Sequence, residues 1–213
     1  MQKEEYANMF RLEESYWWYV GLHELILAEV DKARSGPLEI LDAGCGTGRL
    51  MQLLEKRGNV HGVDFSEDAV SFCRERGLPN VERGDLSDWT PPAARFDVIT
   101  CIDILCHEAI RGDIGVIGRF HCALRRNGRL ILNLPAFESI RRKHDAHVHN
   151  MRRYKKEPLA TQMKRIGFDL RFVVYRLPVL FLVMAFKRWT EGRPDQNSAS
   201  DLRPLTPWVN KAL

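Results

Sequence analysis

The stretch Leu38-Glu39-Ile40-Leu41-Asp42-Ala43-Gly44-Cys45-Gly46-Thr47-Gly48 most constrains what this chain can fold into. Leu38 to Leu41 reads as a buried strand, and Asp42 closes it. Gly44, Gly46 and Gly48 follow at alternate positions, and a helical pattern opens at Arg49. Strand, glycine turn and helix form the ligand-cradling unit of α/β folds. Glycine reaches positive φ, and its missing Cβ lets backbone approach a ligand. A bare glycine turn also serves any tight strand-to-helix connection, so the turn by itself decides little. The dinucleotide fingerprint needs a third small residue where Arg49 stands, and this spacing departs from it.

The next segments supply acids at strand ends. Val60 to Asp64 reads as a second strand, with Asp64 16 residues beyond Gly48. A right-handed crossover makes the first two strands neighbours, which brings Asp64 beside the glycine turn. A carboxylate there accepts ribose hydroxyls. Ser66 caps the following helix, with Glu67 and Asp68 in its first turn. Asn80 to Leu86 is a short third strand ending in Gly84-Asp85. Phe96 to Ile102 is nearly continuous in apolar residues, as a central parallel strand covered on both faces must be. Ile114, Ile117, Phe120 and Leu124 mark a helix that Asn127-Gly128 ends, and Arg129 to Pro135 is the fifth strand. Pro158 to Arg165 is a helix stopped by Gly167, and Leu170 to Tyr175 alternates loosely as a sixth strand.

Before this core, residues 1 to about 34 read as helical, with Tyr16, Tyr19, Val20, His23, Ile26, Leu27 and Val30 on one apolar face. Tyr16-Trp17-Trp18-Tyr19 leaves two readings open: rings packed on the sheet, or a lid over a planar ligand. The organisation expected is therefore an N-terminal helical lid (1–35), a core (36–176) and a C-terminal apolar element with a loop-rich tail (177–213). The ten apolar residues from Leu177 to Phe186 fall short of the roughly 20 that cross a bilayer. A buried element is favoured there over an interfacial helix.

Bulk properties exclude some classes. The 213 residues are 45% hydrophobic and 28% charged, which suits one globular unit. A net charge of +4 is too mild to argue for nucleic acid. The five cysteines, at 45, 73, 101, 106 and 122, form no C-x-x-C pair. With no apolar leader at the N-terminus, they read as reduced thiols of a cytoplasmic protein.

Taken in order, the glycine turn, Asp64, Gly84-Asp85, Phe96-Asp97-Val98 and Leu124 to Leu130 resemble the class I S-adenosylmethionine (SAM)-dependent methyltransferases of the type 11/12 group. Trp17-Trp18, Asn133 to Phe137, His144-Asp145, His149 and Arg152-Arg153-Tyr154 resemble a poorly characterised bacterial branch of it. The resemblance covers residues 38 to about 176. It implies a doubly wound, mostly parallel Rossmann-like sheet in the order 3-2-1-4-5. The antiparallel last strand usual in that branch has no counterpart after Trp189.

The cofactor implied is SAM, with S-adenosylhomocysteine (SAH) as product. The resemblance implies that Asp42, Gly44, Cys45, Gly46 and Gly48 serve the methionine end, and that Asp64 with Phe65 holds the ribose. Asp85 and Leu86 meet the adenine, and Ile102 borders the sulfonium. Where that branch carries an arginine after the tryptophans, this chain has Leu22.

On the acceptor side, His149 is the expected base, Tyr154 closes the pocket, and Arg153, His107 and Trp18 contact the substrate. The cluster Arg141, Arg142, Lys143, Arg152, Arg153, Lys155 and Lys156 suits an anionic or glycan- or lipid-linked metabolite, or a transient membrane-surface contact. His147 and His149 lack a third ligand at metal spacing, so no metal is expected. The expected reaction is methyl transfer to O or N of a small molecule. An RNA methyltransferase is disfavoured because Asn133-Leu134-Pro135-Ala136 departs from the base-methylating motif and no RNA-binding module is attached. A non-catalytic SAM-binding scaffold is the alternative from another class. The sequence is silent on oligomeric state.

Overall fold

A computed structural model describes residues 3–33, 35–141 and 149–176. The Leu177 to Phe186 element, the missing seventh strand, His144 and His147 lie outside the described residues. The sheet has five strands: β1 (Leu38–Ala43), β2 (Gly58–Asp64), β3 (Val81–Arg83), β4 (Phe96–Ile102) and β5 (Leu124–Asn133). They lie in the order β3-β2-β1-β4-β5, with every pair parallel. Strand order reverses between β1 and β4, so the crevice beyond their C-terminal ends is where such sheets hold ligands.

Alternation along the strands builds two cores. Ile40 and Val98 face one way, towards α2 (Trp17–Val30), α3 (Arg49–Leu54) and α4 (Glu67–Glu75); Leu22, Ile26, Met51, Leu54, Val70 and Cys73 fill that layer. Leu41 and Ile99 face the other way, towards α5 (Asp113–Ala123) and α6 (Lys156–Ile166), where Ile117, Phe120 and Met163 pack. The first six residues of β4 are all buried, as its apolar run predicts. Ser66 caps α4 by accepting the Ala69 N–H. Gly167, at φ 116°, ends α6. No helix among the described residues is long and apolar enough to cross a membrane.

Three expectations are corrected. The N-terminal segment is two helices, α1 (Lys3–Leu12) and α2, rather than one. The chain breaks at residues 13–16 because Glu13 turns inward to Thr47 and Arg76. Asn127-Gly128 does not end α5. It lies inside β5, four residues after the helix stops, at a register shift opposite Phe96 and Val98. Asn127 takes φ +64° there.

Residues 170–175 form no strand. The loose alternation builds no ladder: Leu170 packs against the core, whereas Phe172 and Val174 are 53% and 63% exposed. The segment is pinned at its end, where Tyr175 packs on Phe137 with ring centroids 4.5 Å apart and its hydroxyl accepts the Lys156 N–H at 3.0 Å. Among the described residues β5 is the sheet's last strand.

Candidate active site

The glycine turn folds as its residues require. Gly44, Gly46 and Gly48 take φ of +83°, +55° and +85°, a region costly for any residue with a Cβ. The Gly44 and Cys45 N–H groups donate to the Val63 carbonyl, locking the turn against the end of β2. Gly46 donates to Asp64 Oδ2 at 2.9 Å, and Ser66 donates to Asp64 Oδ1 at the same distance. Asp64 therefore orders the loop from the neighbouring strand end. The Phe65 N–H bears on the same carboxylate. Burial raises the Asp64 pKa, and these N–H bonds oppose the rise.

Asp42 sits deeper. It is 3% exposed, takes a hydrogen bond from the Thr100 hydroxyl at 2.7 Å, and has its pKa pushed up to about 7, first by burial and then by the charges of Asp64 and Glu13. Cys45 lies beside Cys73, with sulfurs 3.8 Å apart. A Cβ on Gly44 would strike Ile104, and one on Gly46 would meet Met9 of α1 at 2.9 Å. Helix α1 thus lies across the loop.

Arg76, at the end of α4, holds α1 and the break after it in place. Its guanidinium is 4.1 Å from the centre of the Phe10 ring. It donates to Glu13 at 2.6 Å, Glu14 at 2.8 Å, the Thr47 carbonyl at 2.8 Å and the Phe10 carbonyl at 3.1 Å. Thr47 completes the knot by donating to Glu13. Sequence reasoning missed Arg76, since a lone arginine at a helix end carries no signal for a partner 63 residues away.

Just past β3, Asp85 caps its own turn through the Ser87 N–H at 2.8 Å, with Arg111 3.5 Å away. Leu86 is buried, and its carbonyl accepts from Arg119. Phe65 is 55% exposed, with its ring faced by Arg83. Ile102 ends β4 opposite Asn133 of β5.

Beyond Ile102 stands Asp103, in the stretch just past the fourth strand where open α/β sheets bind ligands, to which the sequence reading gave no role of its own. It takes φ +56°, and the Asn133 amide donates to both its oxygens at 3.0 Å. Burial raises its pKa to about 6, against the pull of Asn133, Arg176 and Arg153. A non-glycine residue in that conformation, with a shifted pKa at a strand end, is a candidate functional position. The signal available in sequence was an acid at the first residue past the central strand.

The acceptor-side residues come together but are already engaged. Residues 149–155 run against the loops after β4 and β5, bridging His107 to Asn150 and Ala136 to Tyr154. His149 Nδ1 lies 2.7 Å from Glu108 Oε1, and its ring centre lies 5.7 Å from that of His107. The His107 Nδ1 accepts the Ala109 N–H at 3.1 Å, and burial lowers its pKa.

The Tyr154 hydroxyl bonds Asp113 at 2.7 Å and the Leu105 carbonyl at 3.0 Å, so it braces this loop. Arg152 donates to the carbonyls of Leu105, His107 and Ile110. Arg153 donates to the Ala136 carbonyl at 2.7 Å. Trp18 packs edge-on against Trp17 and lies beneath Arg176, 5.0 Å from ring centre to guanidinium carbon. No group of three His, Cys, Asp or Glu among the described residues is arranged to hold a metal. An open cleft between Val30, Pro37, Leu38, Arg57 and Gly58 lies at the opposite end of β1 and β2 and takes no part.

Residues 40–128 match the family model of a methyltransferase domain. A ubiquinone biosynthesis O-methyltransferase of Coxiella burnetii is 33% identical over 122 residues, covering 50% of this chain and 52% of that protein. A trans-aconitate 2-methyltransferase of Rhizobium meliloti is 41% identical over 73 residues, 32% of this chain and 27% of that one. The chain spans about half the length of the first of these relatives. A SAM-dependent methyltransferase of Mesorhizobium loti superposes with a TM-score of 0.61 at 21% identity, covering 79% of this chain and 91% of that one. Phosphoethanolamine N-methyltransferase 2 of Haemonchus contortus, solved with SAM, gives 0.62 at 19% identity over 80% of this chain and 43% of the other. At these identities the structural likeness shows the fold.

Proposed function

We propose, from the premise that this chain carries a class I SAM-dependent methyltransferase domain, that it transfers a methyl group from SAM to an oxygen or nitrogen of a small molecule. The observation that carries the reading is Asp64. It receives the Gly46 and Ser66 N–H groups, so the ribose acceptor and the glycine cradle are one connected unit. The three positive-φ glycines leave the backbone bare where the methionine end approaches. Asp85 and Leu86 border the adenine.

SAM supplies a methyl group on a positively charged sulfur, which already carries the driving force. The acceptor's lone pair forms the new bond as the S–CH3 bond breaks, and that electron pair returns to sulfur to leave SAH. The protein's own residues align the partners at roughly 3–3.5 Å and exclude water. Helix α1 covers the loop for this purpose, with Met9 over Gly46. The acceptor's proton passes to His149, whose ring Glu108 orients. His149→Ala should lower turnover on the order of 10²-fold and leave SAH affinity unchanged.

A second reading of the base rests on Asp103, the neighbour of the Ile104 that touches the glycine loop. With a pKa of about 6, Asp103 as the base would make turnover fall as pH drops through 6, and Asp103→Asn would abolish that limb. The direct test of the reaction is incubation with methyl-labelled SAM and a small-molecule extract. Label should enter the small-molecule fraction with the wild-type chain and fail to do so with Asp64→Ala. Label in added RNA instead would overturn the acceptor class, and label in neither would overturn the enzyme.

A further inference from the structure

The basic segment that sequence alone offers for an anionic acceptor is largely spent on the protein itself. Arg152 ties three backbone carbonyls, Arg153 holds the Ala136 carbonyl, and Arg141 holds Glu138 and the carbonyls of Asn150 and Met151. Arg176 sits instead against an aromatic ring. Its guanidinium carbon lies 5.0 Å from the centre of the Trp18 ring, and the buried Nη1 finds no hydrogen-bond acceptor among the described residues. A buried N–H left unpaired is costly, more so on a charged group, and the cost is relieved by an acceptor that arrives with a ligand.

The charges around Arg176 point the same way. Its acidic neighbour is Asp103, whose two oxygens the Asn133 amide already takes; Asp103 attracts the guanidinium without a direct ion pair. Asp103 also feels Arg153, so two guanidiniums face one carboxylate. Burial lowers the Arg176 pKa, the mark of a cation short of counter-charge. The Trp18 ring holds the guanidinium by a cation–π contact before any ligand comes, and its planar fork matches a carboxylate or phosphate in two-point contact. Trp17, Tyr16 and Tyr19 extend the aromatic surface beneath it.

We propose that Arg176, seated on Trp18 beside Asp103, is the group that recognises the methyl acceptor, and that the acceptor carries a carboxylate or phosphate. This rests on the methyl-transfer reading above. The cofactor's own carboxylate is the rival source of the same chemistry. Arg176 is assigned to the acceptor because it stands on Trp18 of α2 and beside Asp103, the first residue past β4, and the SAH arm of the test separates the two sources.

The test is calorimetric titration of the SAH-saturated full chain with benzoate, phenyl phosphate and the uncharged probe phenol. Wild type should bind the two anions at least tenfold more tightly than phenol. Arg176→Gln should erase that preference while holding SAH affinity within twofold, and Arg176→Lys should keep part of it. Equal binding of anions and phenol by wild type, or an anion preference that survives in Arg176→Gln, overturns the proposal. So does a variant that loses SAH affinity and keeps the anion preference, since the guanidinium then serves the cofactor. If wild type gives no heat with SAH, the methyl-transfer reading itself has failed, and the same anion titrations still judge the Arg176 site.

Discussion

At the scale of single residues, buried carboxylates shape this site, and they differ in what they do. Asp64 is 5% exposed and bonded by loop amides, so Asp64→Ala leaves both the loop and the ribose hydroxyls short of an acceptor. SAH affinity should fall by about 1–3 kcal/mol in that variant, read by calorimetry. Asp42 acts on stability. Its folded pKa of about 7 lies above the ordinary carboxylate value, so the folded chain holds a proton that the unfolded chain releases near pH 4. Its stabilising contribution is present below that unfolded value and is lost as pH rises through 7. Between about pH 5 and pH 8, wild type should therefore lose about 1–3 kcal/mol relative to Asp42→Asn, whose amide keeps a partner for Thr100. Urea unfolding of both proteins at the two pH values measures this. The place of Asp64 was legible in sequence because strand order follows from crossover handedness. The proton on Asp42 was not, because it depends on Thr100 and on depth of burial. Asp103 was given no role of its own for a related reason: an acid after an apolar strand gains its meaning only when a partner such as Asn133 arrives from the next strand.

At the scale of elements, the contact between the N-terminal helices and the glycine turn decides whether the site is assembled. The Arg76–Glu13 pair is 5% and 6% exposed at its two side chains. Removing one partner of a buried pair leaves the other charge uncompensated, at a cost of about 3–5 kcal/mol. Arg76→Ala should lower thermal stability accordingly and weaken SAH binding, since Thr47 and Glu13 lose their shared partner. Amide exchange should quicken in α1 and at residues 13–16 more than in β1 or β4. The sequence showed helical periodicity across the N-terminus but not the break, which long-range polar contacts impose. The 170–175 segment failed in the opposite sense. Leu170 reaches the core while Phe172 and Val174 stay exposed, and ring packing of Tyr175 on Phe137 stands where a ladder was expected. The apolar run of β4 left no such freedom, and its limits were readable to the residue.

At the scale of the whole molecule, strand order, glycine turn and strand-end acids meet at one end of the sheet, and the central claim is that this end binds SAM. The claim turns on the glycine turn joined to Asp64, so it is tested before any acceptor is known. The most direct measurement is calorimetry of the full chain with SAH, run beside NAD as a control. One saturable SAH site per chain is expected, about 5- to 150-fold weaker in Asp64→Ala, with no heat from NAD. An absence of heat with SAH, or an affinity that Asp64→Ala leaves unchanged, would contradict it.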